Sequence, residues 1–261
     1  MLVAVTRAIS PTLADCELTH LGREPIDVAH AIAEHGCYED ALRSVGATVV
    51  RAAPEPDLPD AVFVEDAALA LDETAVITRP GAATRRRETA SLATVLGPYR
   101  SLLRIQPPGT LDGGDVLRVG RRLYVGQSAR SNRAGISQLE SLLAPWDYEV
   151  IPVAVDGCLH LKSAVTQVGE RLLLINSRCV RPSCFPSMEM IEIAPAEPLG
   201  ANALWIESVV LYPAHYPETA GRLERAGVRV VPVPCTELAK AEGGVTCCSV
   251  LLESEPAARR R

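Results

Sequence analysis

The amino-acid sequence predicts an α/β fold: five repeated units stacked as a short propeller around one central channel. Three observations point there. Two apolar strands joined by a short polar or glycine-containing turn recur along the chain, at starts 40 to 50 residues apart. Between these hairpins lie stretches of helical period, each followed by a β-branched run. The chain also begins and ends with a strand lacking a hairpin partner, so the two ends can complete a unit between them. Repetition at this period marks units that cannot bury their faces alone and must stack on neighbours.

In order, "LVAVTRAI" is the unpartnered opening strand, "AHAIAEHGCYEDALRSVG" a helix ending at Gly46, and "ATVV" the strand after it. The hairpin "AALALDETAVITRP" is followed by "RRETASLATVLGP", which sets Leu92, Val95 and Leu96 on one helical face before Gly97 and Pro98. The hairpin "DVLRVGRRLYVG" leads into "SNRAGISQLESLLAP". There Ser131 or Asn132 caps a helix bearing Ile136, Leu139, Leu142 and Leu143, which stops before Pro145. A third hairpin, "SAVTQVGERLLLINS", precedes the segment "CVRPSCFPSMEMIEIAPAEP", which is not diagnostic. The fourth, "ALWIESVVLYP", is followed by the helix "PETAGRLERAG" and the strand "VRVVPV". Only "SVLLE" remains at the end, and pairing it with the opening strand closes the ring. An open α/β sheet carrying hairpins would show the same periodicity. No linker interrupts the chain, so a single domain over 1–261 is expected, with 255–261 as a flexible tail.

Composition narrows the function. With 48% hydrophobic and 22% charged residues, the 261-residue chain reads as a globular protein able to bury a core. A formal charge of −6 and an aromatic content of 4% offer no footprint for nucleic acid. Arg7 interrupts the first apolar run, and no stretch reaches the length of a membrane span, so a cytoplasmic protein is expected. Eight cysteines without CxxC or HxxxH spacing predict reduced thiols and no metal site.

In a closed ring the mouths of the hairpins face one end of the channel. They carry Glu65-Asp66, Asp112 to Asp115, His160-Leu161-Lys162, Asn202 and Cys247-Cys248. Taken singly, the histidine reads as a half-buried polar residue, the cysteines as small core residues, and Gly113-Gly114 as a turn. Their recurrence at one place in each unit favours a site. A thiol beside an imidazole is an activated nucleophile, and a carboxylate, here Asp112, would orient the imidazole. Asp60, Glu65 and Asp66 would hold a cation. Glu65, Asp66 and Asp112 would keep the thiol at a normal or raised pKa until that cation enters.

Over "PDAVFVEDAALAL", "AVITRPGAATRRRE", "GTLDGGDVLRVGRRLYVGQSARSN", "LHLKSAV" and "EGGVTCCSVLL" the sequence resembles the dimethylarginine dimethylaminohydrolases of the guanidine-modifying pentein superfamily. The resemblance implies a five-bladed pseudo-symmetric α/β propeller, and it makes Cys247 the nucleophile, His160 the acid and base, and Asp112 its orienting acid. It implies Glu65 and Asp66 as holders of the guanidinium. Asp60 and the Ala241 backbone would contact the substrate's α-amine, and Arg85 and Arg130 would clamp its α-carboxylate. Phe63 would line the pocket and Leu18, in "CELTHLGREP", would sit on a mobile lid, with Asp115 anchoring the glycine turn and Arg86 and Arg87 facing solvent. The implied reaction converts an asymmetrically methylated arginine to citrulline and an alkylamine through a covalent thiouronium. It needs no cofactor and no partner beyond the small-molecule substrate, in a monomer or homodimer. The helical insertion of the longer arginine deiminases is absent between Val76 and Leu111. A purely binding propeller would have no reason to keep Cys247, His160 and Asp112 together.

Overall fold

The computed structural model describes residues 1–255, so the expected tail lies, beyond Glu255, outside the described residues. In chain order the first elements are β1 (Leu2–Thr6), α1 (Val28–Ser44) and β2 (Thr48–Arg51). Next come β3 (Ala68–Ala70), β4 (Thr74–Ile77), α2 (Thr89–Leu96) and β5 (Ser101–Arg104), then β6 (Val116–Val119), β7 (Arg122–Gln127), α3 (Arg133–Leu143) and β8 (Glu149–Ala154). The third hairpin follows a short helix α4 (Leu161–Ala164) and consists of β9 (Val165–Gly169) and β10 (Leu172–Ile175), with β11 (Glu189–Glu192) beyond it. The remainder is β12 (Leu204–Ile206), β13 (Val209–Pro213), α5 (Pro217–Arg225), β14 (Arg229–Val233), α6 (Thr236–Lys240) and β15 (Val250–Glu253).

These strands form five three-stranded sheets, ordered β15-β1-β2, β3-β4-β5, β6-β7-β8, β9-β10-β11 and β12-β13-β14. In each, the hairpin pair is antiparallel and the strand after the connection joins in parallel, as the repeat predicts. The first and last strands pair antiparallel from Leu2 opposite Glu253 to Val5 opposite Val250, and this pairing completes the fifth blade. Middle strands such as β4 and β13 are buried along their whole length, which suits their continuous apolar runs.

Five apolar clusters each join two successive sheets. Val5 packs with Ala75 and Ile77, Val76 with Leu123, Tyr124 with Leu173, and Leu174 with Val210. The cluster holding Ala4, Leu42 and Leu211 joins the last sheet to the first. The fold is therefore a closed five-bladed propeller. Burial of each such Val, Leu or Ile contributes about 1.5–3 kcal/mol, so the ring is held by its seams as much as by its sheets.

The third blade departs from the repeat. A single 3-10 turn at Pro182–Cys184 stands where the other blades have a helix. Pro182 and Pro186 deny that segment the backbone donors and conformations a helix needs, which is why its sequence shows no helical period.

One cavity of about 290 Å³ is lined by Leu69, Leu117, Gln167, Trp205 and Leu251, one from each of β3, β6, β9, β12 and β15. This is one end of the central channel. An ion pair between Lys162 and Glu65, both of which line the same cavity, crosses it. All eight cysteines are free thiols, and among the described residues no helix is long and apolar enough to cross a membrane.

Candidate active site

On the other side of the ring the hairpin mouths meet in a narrow cleft whose walls include Asp60, Asp66, Arg130, His160 and Cys247. His160 is the N-cap of α4 and is buried. Its Nε2 lies 3.1 Å from Asp112 Oδ2, and its Nδ1 lies 3.8 Å from Asp66 Oδ1. Asp112 is fixed in turn. Its Oδ1 accepts the Gly81 N–H at 2.8 Å, and its own N–H donates to Ser131 Oγ at 3.0 Å.

The density of acids and glycines in "GTLDGGD" follows from how closely these mouths approach. A β-carbon on Gly113 would lie 1.9 Å from the Glu65 carbonyl oxygen. One on Gly114 would lie 2.6 Å from His160 Nδ1 and 2.7 Å from Asp66 Oδ1. Without side chains there, the Gly114 N–H reaches Asp66 Oδ1 at 3.0 Å. Asp115 points away from the chemistry. It accepts the hydroxyls of Ser128 and Ser131, each at 2.6 Å, and the Leu161 N–H at 3.0 Å. It thus ties the start of β6 to the residue after His160, an anchoring role that reaches the imidazole through the backbone.

Electrostatics set the resting protonation. Burial opposes charge on His160, but Asp66, Asp112 and Asp115 outweigh it and raise the imidazole to about 9. Burial, then Glu65 and Asp66, push the Cys247 thiol up to about 12. The Cys247 Sγ accepts the Gly244 N–H at 3.3 Å, and among the described residues His160 is not one of its hydrogen-bond partners. The free site therefore pairs a neutral thiol with an imidazolium, in line with the raised thiol expected from the sequence. Asp66, Asp112 and His160 present donor atoms all within 4.8 Å of one another, but the positive charge beside Asp66 is already supplied by arginine.

That arginine is a departure from the expected layout. Arg85 was expected to stand apart from the acids as a carboxylate clamp. Instead it is buried, 2.6 Å from Asp66 Oδ2 and 2.9 Å from Glu88 Oε2, and it donates to the backbone carbonyls of Asp60 and Phe63. Burial favours a neutral Asp66, yet His160 and Arg85 hold its carboxyl well below the usual range.

Glu65 also differs. Its carboxylate is engaged by Lys162 and by the Thr246 hydroxyl, and it lines the opposite cavity rather than the cleft. Leu18 is half-buried against the cluster that contains Phe63, Ala241 and Cys247, but it is not part of the cleft wall. Asp60, Phe63 and Ala241 do line the cleft, and so does Arg130, which donates to Thr19 Oγ1 at 3.0 Å. Arg87 is exposed as expected, whereas Arg86 is half-buried on the carbonyls of Pro80 and Gly81.

Three supports went unassigned in the sequence. Lys162 neutralises Glu65. Asn202 exchanges hydrogen bonds with Thr246, beside the nucleophile. Ser131 bridges Asp112 and Asp115. Lys162 and Asn202 stand at hairpin mouths, so their position in the repeat was a usable signal. Cys248, by contrast, is fully buried and points its thiol at the Gly244 carbonyl. Cys247 also borders a second cavity of about 250 Å³ that includes Leu21, Pro213 and Tyr216.

Comparison with known proteins agrees with this architecture. Residues 22–183 match the model of a family described as N,N dimethylarginine dimethylhydrolase, eukaryotic. The chain is 39% identical to the N(G),N(G)-dimethylarginine dimethylaminohydrolase of Streptomyces coelicolor, over 95% of this chain and 96% of that one. It is 35% identical to the enzyme of the same name from Pseudomonas aeruginosa, over 89% and 91%. The structure of a cysteine-to-serine mutant of the Pseudomonas enzyme complexed with citrulline superposes with a TM-score of 0.91 at 33% identity, covering 95% of this chain and 98% of that one. With a five-bladed ring, a thiol, imidazole and carboxylates converging at one mouth, and this similarity over nearly its whole length, the chain belongs to the dimethylarginine dimethylaminohydrolase family.

Proposed function

We propose that this protein hydrolyses asymmetrically methylated arginine, dimethylarginine or monomethylarginine, to citrulline and an alkylamine. The observation that carries the reading is the convergence of Cys247, His160 and Asp66 in one buried cleft, where the raised thiol and imidazole favour a neutral sulfur beside an imidazolium. That arrangement suits a cationic, planar electrophile. The guanidinium enters beside Asp66, and its charge stabilises the Cys247 thiolate, whose proton passes to solvent. The sulfur attacks the guanidinium carbon, giving a neutral tetrahedral species. His160, oriented by Asp112, protonates the alkylated nitrogen, the C–N bond breaks and the amine leaves, and a thiouronium cation remains on Cys247. Neutral His160 then takes a proton from water as its oxygen adds to the same carbon. Collapse breaks the C–S bond, and the hydroxyl proton returns to the thiolate as citrulline forms.

Arg130 takes the substrate's carboxylate, and Asp60 with the Ala241 carbonyl takes its amine. Arg85, itself part of the cleft wall, supports this end by holding Asp66. Every one of these residues comes from a single chain, so a monomer or a homodimer serves equally. The eight free thiols fit a reducing, cytoplasmic setting.

The test is citrulline release from arginine, monomethylarginine and asymmetric dimethylarginine. Methylated substrates are expected to react and arginine to be poor. Cys247→Ser should abolish turnover, while Cys248→Ser, altering a buried neighbour, should retain most of it. Citrulline formed from arginine alone would assign a deiminase instead, and a covalent adduct on Cys248 would overturn the choice of nucleophile.

A further inference from the structure

We propose that Glu242 is a positioning residue for this reaction, holding the segment 17–21, whose Glu17 forms part of the cleft wall, in place at the edge of the cleft while substrate is bound. The inference rests on the functional reading above for the identity of the substrate, but its geometry stands independently. Glu242 Oε1 accepts the backbone N–H groups of His20 at 2.5 Å and Leu21 at 2.6 Å, and Oε2 accepts that of Thr19 at 3.0 Å. Three successive amides thus converge on one carboxylate, as they do around a bound anion.

The location ties this contact to the chemistry. Glu242 lies between Ala241, a cleft-wall residue, and Gly243-Gly244, which lead directly to Cys247. Its φ is 59°, in the left-handed region that favours glycine. A glycine would adopt that backbone more easily, and glycines occupy the next two positions. The glutamate is therefore retained at a conformational cost, and its side chain is what the position uses.

Among the described residues, two of the other hydrogen-bonded ties on this segment are ones the substrate contests. The Glu17 N–H donates to both carboxylate oxygens of Asp60, at 3.3 and 3.1 Å, and Arg130 donates to the Thr19 hydroxyl. Asp60 and Arg130 are the groups proposed above for the amine and carboxylate of the amino acid. When substrate claims them, Glu242 is the tie to the backbone of 17–21 that it leaves in place. Other contacts lie on or beside the segment, Thr84 to the Glu17 side chain, Leu18 against the cluster of Phe63 and Ala241, Arg23 on the Ala14 and Cys16 carbonyls and Lys240 on the Pro25 carbonyl, and none of them holds the amides of 19–21.

The experiment compares wild type, Glu242→Gln and Glu242→Gly. The glycine variant relieves the backbone, so loss of folding does not confound it. Amide hydrogen exchange at Thr19, His20 and Leu21 in the ligand-free protein should accelerate about tenfold or more in Glu242→Gly, with the amides of Ala75 and Val76 in β4 unchanged. Glu242→Gln should fall between, because its one oxygen still accepts two of the amides. With the preferred methylarginine, KM should rise about fivefold or more in Glu242→Gly while kcat changes much less, the pattern of lost positioning rather than lost chemistry. Unchanged exchange in the glycine variant would overturn the tie, and faster exchange with an unaltered KM would overturn its part in turnover. If wild type released no citrulline from any methylarginine, the functional reading would fall, and the exchange data would still decide whether Glu242 holds the segment.

Discussion

Cys247 and His160 feel the carboxylates of this site in opposite chemical senses. An anion nearby disfavours a thiolate and favours an imidazolium: burial, then Glu65 and Asp66, raise the thiol to about 12, while Asp66, shared by both groups, joins Asp112 and Asp115 in raising the imidazole to about 9 against its burial. Alkylation of Cys247 by a neutral reagent should therefore be slow at neutral pH and keep rising well above the ordinary thiol range of about 8.5. An unreactive guanidinium analogue that leaves the sulfur accessible should lower the apparent pKa. A free-enzyme value below the ordinary range would sink substrate-assisted activation. The imidazolium adds a second limb: the acid needed for amine departure is present at neutral pH and is lost as pH rises through about 9. Stability moves the same way, because a histidine whose folded pKa lies above its unfolded value of about 6.5 stabilises fully below that value and loses its contribution as pH climbs through the folded one. Which residues meet at the cleft is legible at this scale, since Cys247, His160, Asp60 and Asp66, with Asp112 behind the imidazole, share a position in the repeat or a motif. Which charge each would pair with is not. Arg85 and Glu65 find Asp66 and Lys162 from different parts of the chain, and only the packed ring decides such partnerships.

The turn Gly113–Asp115 is the element through which geometry reaches chemistry. It fits against the backbone at Glu65, lets His160 and Asp66 approach, and passes Asp115 across to the start of α4. Gly114→Ala would put a methyl group where the imidazole and the Asp66 carboxylate now sit. Displacement of His160 by about an ångström should lower kcat/KM about 100-fold or more, with binding of citrulline much less affected. Activity near wild type in this variant would mean that His160 is not held where the chemistry needs it. The helices were readable from their period and stops, and Asn132 caps α3 by accepting the Gly135 N–H as its sequence suggests. The third connection was not readable, because prolines left only a 3-10 turn and a strand whose partner supplies most of its order.

At the scale of the molecule, the repeat made the ring foreseeable, and the five seams between sheets close it. Four blades are each assembled from one continuous stretch of chain, whereas β15-β1-β2 unites the two ends. That difference has a consequence in time. Local blades can form as soon as their own residues are available, but the split blade must wait for the most distant contact in the protein, and such contacts carry the largest entropic delay. Leu123→Ala, in β7, the middle strand of its blade, and Leu252→Ala, in β15, each remove a buried side chain and should destabilise by about 2–5 kcal/mol. The first should act chiefly by slowing folding and the second chiefly by speeding unfolding, as read from the two arms of a denaturant chevron. Equal slowing of folding by both would show that closure is early. Since Cys247 lies just ahead of β15, late closure means that the nucleophile is the last part of the machinery to find its surroundings: the protein becomes a catalyst only in the step that finishes it.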